Sequence, residues 1–105
     1  MDMQLNEPVD DRLRKIGNIV ISRKGKDTGR WYVIVGISED GRRAYLADGK
    51  KYTVRNPKAK NTIHLQPTGW SFDELTQSIL TEKKMDAGRF QALLAGLDRN
   101  EQQEG

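Results

Sequence analysis

Gly17-Asn-Ile-Val-Ile-Ser-Arg-Lys-Gly-Lys-Asp-Thr-Gly-Arg-Trp-Tyr-Val-Ile-Val-Gly-Ile37 is the stretch on which the fold turns. Ile19-Val-Ile21 is β-branched throughout, which favours a pleated strand over a helix. Ser22–Gly29 follows as a polar run with two glycines and three bases, the composition of a loop. Trp31-Tyr-Val-Ile-Val-Gly-Ile37 is then apolar at consecutive positions, so both faces of this strand need cover.

Working outward, Ser38-Glu-Asp-Gly41 reads as a turn and Arg43-Ala-Tyr-Leu-Ala47 as the next strand. Asp48-Gly49 is a tight hairpin signal, because a two-residue type I′ turn wants Gly at its second position. Lys51-Tyr-Thr-Val-Arg55 alternates polar with apolar and reads as the returning strand. Asn56-Pro-Lys-Ala-Lys60 reads as a basic loop, and Thr62-Ile-His-Leu65 as a last short strand. After Pro67-Thr-Gly69 the period changes to helical. Ser71-Phe-Asp-Glu74 has the form of a capping box, followed by Phe72, Leu75 and Ile79 on one helix face. A second helix is expected from Asp86 as N-cap, with Phe90, Leu93, Leu94 and Leu97 on its apolar face. At the other end, a short helical turn is expected near Val9–Lys15, with Pro8 at its start. The reading is mainly β with an α tail: a small five-stranded barrel over 12–68 and a helical extension over 69–98. An acidic flexible lead occupies 1–11 and a polar, disordered tail 99–105.

The charge is segregated. Residues 12–60 hold 14 Lys/Arg against 4 Asp/Glu, while residues 1–11 hold 4 acids and no base and residues 61–105 hold 7 acids and 4 bases. A net charge of +3 therefore conceals a strongly basic centre, the electrostatic footprint of a polyanion binder. The acidic ends can fold over such a surface and compete with nucleic acid. An apolar content of 35% allows only a small core, which disfavours a deep substrate cavity. Without cysteine the chain can form neither a disulfide nor a thiolate metal site. No apolar run suits a bilayer span, no secretory signal is evident, and a cytoplasmic location is expected. The single histidine, His64, has no second histidine or cysteine with which to build a metal site or a nucleophile–base pair, and reads as structural. The Gly25/Gly29 loop lacks the Gly-Lys-Ser/Thr ending of a nucleotide cradle. Asp27 within it reads as a turn cap or the partner of a neighbouring base. No enzyme activity, metal or cofactor is expected.

The segment from Gly17 to Gly29, with the apolar strand that follows, resembles a KOW motif, with Gly29 at its signature glycine. The elements Ser22–Gly29, Tyr45-Leu-Ala-Asp-Gly49 and Ile63-His-Leu-Gln-Pro-Thr68 recur in this order and at similar spacing in a family of short bacterial KOW proteins. That family is similar to the KOW-bearing large-subunit ribosomal proteins of archaea and eukaryotes. The resemblance spans Gly17 to Thr68, about half the chain. It implies a five-stranded SH3-like barrel and non-enzymatic RNA binding, to ribosomal or other structured RNA. The long acidic lead departs from the family pattern.

Three basic patches are the candidate RNA contacts. Arg23, Lys24, Lys26 and Arg30 border the first loop, Lys50 and Lys51 follow the Asp48-Gly49 turn, and Arg55, Lys58 and Lys60 lie in the last loop. If alternate loops gather at one end of the barrel these patches merge, and phosphate contacts yield affinity with little sequence preference. Trp31, Tyr32 and Tyr52 are the aromatics available to stack an unpaired base. Strand parity puts Trp31 and Tyr32 on opposite faces, and core packing competes with stacking for Trp31. The alternative is a protein-interaction module that uses the barrel or the apolar faces of the two helices, as in transcription or translation factors.

Overall fold

Trp31–Ile37 forms β2, the middle strand of a five-stranded antiparallel sheet, in a computed structural model that describes residues 10–104, with side chains described through residue 97. The other strands are β1 (Asn18–Ser22), β3 (Arg43–Ala47), β4 (Lys58–Asn61) and β5 (Leu65–Ser71), in the order β4-β3-β2-β1-β5. The two edge strands are consecutive in sequence and are joined only by a 3-10 helix, Thr62–His64. In a flat sheet they would lie about 19 Å apart, at about 4.8 Å per strand spacing. So short a link forces the sheet to curl. Register shifts between Ile34 and Gly36 on β2, and between Asn18 and Val20 on β1, supply the bends. No ladder joins β4 to β5 among the described residues, so the sheet is barrel-like but not closed.

Both faces of β2 are buried, as its continuous apolar run demands. Tyr32 and Ile34 point into the curl with Leu13, Val20, Ala44, Leu46 and Leu65. Val33 points outward and packs with Ile19 and Ala47 against Leu75, Ile79 and Phe90 of the helical segment. That segment comprises α1 (Asp73–Gln77), a π-helical turn (Ser78–Glu82) ended by Lys83 in the left-handed conformation (φ 59°), and α2 (Ala87–Glu104). Leu75, Ile79, Phe90 and Leu97 of the helical segment are buried, while Leu80 stays exposed. Asp86 begins α2 as expected, its carboxylate accepting from the Arg89 N–H at 2.8 Å. α2 runs through Glu104, and so takes in most of the segment 99–105 read as a disordered tail.

Several boundaries differ from the sequence reading. Lys51–Arg55 is not a strand, and the partner of β3 is Lys58–Asn61, which takes up the second half of the expected basic loop Asn56–Lys60 and the residue after it. The cause is Asp48. Its Oδ1 accepts from the Lys50 and Tyr52 N–H groups, while the Asp48 and Gly49 N–H groups both donate to the Tyr52 carbonyl. This knot absorbs the backbone that a tight hairpin would have offered to a strand. Thr62–His64 is a 3-10 turn, not a strand, capped by the Asn61 side chain, and β5 begins only at Leu65. Ser71 makes no capping box, because its backbone is committed to pairing with Asn18. The N-cap moves to Phe72, without a side-chain bond, and Glu74 turns to Arg89 at 2.7 Å. A 3-10 turn at Asp11–Leu13 is capped by Asp10 and falls within the turn expected near Val9–Lys15. Pro8 and the rest of the acidic lead, apart from Asp10 and Asp11, lie outside the described residues.

Gly49 couples the sheet to α2. It has φ +83°, and a Cβ there would stand 2.7 Å from the Ala87 Cα. Gly29 has a similar φ, +91°, but a Cβ there would meet nothing within 4 Å. Gly49→Ala is therefore expected to cost about 2–4 kcal/mol in urea unfolding, from left-handed strain plus the backbone clash. Gly29→Ala should cost only the strain, about 1–2 kcal/mol. Equal losses at the two sites would contradict the docking of α2 on this turn.

Candidate nucleic-acid interface

The loop between β1 and β2 is closed at its base by the Gly29 N–H on the Ser22 carbonyl (2.8 Å) and the Ser22 N–H on the Arg30 carbonyl (2.9 Å). Within it the Thr28 hydroxyl donates to the Gly25 carbonyl at 2.6 Å, and the Arg30 N–H to the Asp27 carbonyl at 2.9 Å. This fold turns the Asp27 side chain inward and the basic side chains outward. Asp27 is the anchor of the site. It accepts hydrogen bonds from the Ser22 hydroxyl (2.8 Å), the Tyr32 hydroxyl (2.9 Å) and the Lys60 ammonium (2.9 Å), with the Lys58 ammonium at 3.9 Å. The carboxylate therefore ties the loop to β1, β2 and β4 together.

Burial alone would raise the Asp27 pKa, but the hydrogen bonds from Lys60, Ser22 and Tyr32, with the Lys60 charge, hold it down at about 2. Burial, and then the bond to Asp27, push the Tyr32 phenol well above its usual value. The depressed Asp27 contributes stability in full above the unfolded pKa of about 3.9, and loses it as pH falls through about 2. At about 1.4 kcal/mol per unit this is about 2–3 kcal/mol in all. The raised Tyr32 works at the other end: its contribution is present below pH of about 10 and fades above it. Urea unfolding of Asp27→Asn between about pH 2 and 5 should show an acid-side loss smaller than that of the parent by about 2 kcal/mol. Identical pH profiles would contradict the ionised anchor.

Around this anchor lies a concavity of about 430 Å³, lined by Lys26, Arg30, Lys51, Tyr52, Lys58 and Lys60 with Gly25, Asp27, Tyr32 and Asp48. All three basic patches of the sequence reading contribute to it. Lys51 and Lys58 place their ammonium groups 5.6 and 5.2 Å from the Tyr52 ring centroid, within cation–π range. Tyr52 meets Tyr32 edge-on, with centroids 6.4 Å apart. The cations are not equivalent. The Lys60 side chain is only 12% exposed and also donates to the Lys24 carbonyl at 2.7 Å, so it is structural. Lys26, Arg30 and Lys51 are exposed and make no ion pair among the described residues.

The remaining candidates fall elsewhere. Trp31 is half-buried on the opposite face of β2, packed against the helix-side cluster, and with Lys50 it lines a neighbouring cleft. Tyr32 is fully buried and has no face left for a base. Arg23, Lys24 and Arg55 are exposed but line neither concavity. His64 contributes its carbonyl, which accepts from the Arg23 N–H at 2.8 Å. Asp27 was readable as the partner of a base, but not that the base would be Lys60, thirty-three residues away. The period-two spacing of Lys58 and Lys60 around Ala59 was the available signal, since it sends both lysines to the same side of a strand.

No model of a known protein family matches the chain, and no curated protein matches it. Among the described residues no cluster of three or more His, Cys, Asp or Glu is placed to hold a metal ion. No helix among them is long and apolar enough to cross a membrane.

Proposed function

We propose that the chain is a non-enzymatic RNA-binding protein that docks on phosphates through the basic loops around Asp27. The observation that carries this reading is the gathering of Lys26, Arg30, Lys51 and Lys58 on one concavity, from loops far apart in sequence. A small basin lined by five cations and two carboxylates attracts a polyanion, and contacts to the backbone of a nucleic acid need no deep pocket. The KOW resemblance over Gly17 to Thr68 supports the same reading, and favours ribosomal or other structured RNA met in the cytoplasm. With the helix faces packed on the sheet, a protein-interaction module would have to rely on Ile63, Trp70 and Leu80, the exposed large apolar side chains among the described residues.

Fluorescence anisotropy of a labelled RNA across a salt series tests the proposal. If the four cations each displace a counterion, the logarithm of affinity should fall against the logarithm of salt with a slope of about −3. No binding at low salt, or binding indifferent to salt, would overturn it.

A further inference from the structure

We infer that the cleft between Trp31 and α2 receives an unpaired base of the bound RNA, while the adjoining phosphates lie in the basin around Asp27. This rests on the RNA-binding reading and sharpens it to unpaired strands. Trp31 and Tyr32 are successive residues of β2, so their side chains leave opposite faces of the strand. Tyr32 is fully buried, but Trp31 keeps an open flank, and that flank is one wall of a cleft of about 410 Å³. The facing wall comes from α2, where Gln91, Leu94 and Ala95 stand at spacings of three and four and so share one helix face. An indole, a leucine and an alanine give the cleft an apolar strip, bordered by the Gln91 carboxamide and by the charged side chains of Arg30, Lys50 and Asp48. That composition suits a flat heterocycle with hydrogen-bonding edges.

Charge selects among flat ligands. Arg30 and Lys50 are both exposed at this cleft and make no ion pair among the described residues. The Asp48 carboxylate that also lines it is engaged by the Lys50 and Tyr52 N–H groups of its own turn. Arg30 and Asp48 line both this cleft and the basin, so together they form the ridge between the two. A nucleotide straddling that ridge would set its base against Trp31 and its phosphate among Lys26 and Lys51. A duplex buries its base faces in the stack and cannot enter the slot, whereas an unpaired nucleotide can. The helical extension, on this account, is half of the binding site as well as cover for the sheet.

The test compares a single-stranded RNA of about 12 nucleotides with a duplex of the same length, by anisotropy on the full chain. Ala95→Phe fills the slot from an exposed helix position, and so spares both the fold and the basic residues. Trp31→Ala removes the wall, and Trp31→Phe keeps a stacking face. The single strand should bind the parent more tightly than the duplex does. Ala95→Phe and Trp31→Ala should each weaken the single strand about tenfold and leave the duplex as it was, and Trp31→Phe should restore most of the loss. Should Trp31→Ala fail to fold, Ala95→Phe and Trp31→Phe decide alone. Salt-dependent binding of both RNAs that Ala95→Phe does not alter, or weakens equally, overturns the base slot and leaves the basic surface standing. Binding of neither RNA overturns both.

Discussion

The triple variant Lys26→Glu, Arg30→Glu, Lys51→Glu is expected to bind RNA at least about a hundredfold more weakly than the parent at about 0.1 M salt, while unfolding at nearly the same temperature. All three side chains stand in solvent around one concavity and make no ion pair among the described residues, so little folded-state contact is lost beyond the approach of the Lys51 ammonium to the Tyr52 ring. On the proposed reading each reversal deletes a phosphate contact and adds a repulsion. About 1 kcal/mol or more per position brings the sum past the roughly 2.8 kcal/mol that a hundredfold requires. Reversal of Arg23, Lys24 and Arg55 is the matched control: the same change in net charge, at residues that line neither concavity. It should cost less at that salt, because side chains that line neither concavity act on a ligand there only through screened, long-range attraction. Equal losses from the two triples would mean that RNA answers to overall charge and not to the concavity. Lys60 is deliberately left intact in both, since its ammonium is held by Asp27 and the Lys24 carbonyl.

Asp27→Ala should give the second large effect, and on a different property: a loss of about 3 kcal/mol or more in stability, read by urea unfolding. The Asp27 side chain is 13% exposed, and its removal takes an acceptor from three donors at once: the Tyr32 hydroxyl, the Ser22 hydroxyl and the little-exposed Lys60 ammonium, the last two keeping only the Lys24 carbonyl. Breaking a buried pair from one side is costly because the surviving charge stays in place without compensation. Asp27→Asn keeps an acceptor at the same position and should lose less, which separates the geometric part of the anchor from its charge. In the folded fraction of either variant the basin is more positive, so RNA affinity at low salt should hold or rise. A loss of less than about 1 kcal/mol for Asp27→Ala would contradict the network, since exposed ion pairs are worth no more than that.

The parts of this architecture legible in the sequence are those set by local pattern. The unbroken apolar run of β2 announced cover on both faces, and the structure supplies it with the curled sheet on one side and the helices on the other. Leu75 and Ile79, and then Phe90 and Leu97, fell on helix faces that do pack inward, while Phe72 packs on the same cluster from the extended N-cap position. What local pattern missed was decided by side chains acting across loops. Residues 51–55 alternate as a strand should, yet Asp48 captures the backbone of Lys50 and Tyr52, and the strand forms at Lys58. Ser71 has the right neighbours for a helix cap, but its partner Asn18 lies across the sheet. The basic patches were visible as composition. Their division into Lys60, spent on the fold, and Lys26, Arg30 and Lys51, open to solvent, depends on where Asp27 points, and no periodicity carries that.

The most direct test of the basic concavity as the RNA surface is a ¹⁵N–¹H correlation spectrum of the full chain titrated with a short RNA. The amides of Gly25, Lys26, Arg30, Lys51, Tyr52 and Lys58 should shift in step with RNA, and return as salt is added. Shifts gathered instead around Ile63, Trp70 and Leu80, or a spectrum unmoved at low salt, would contradict the account.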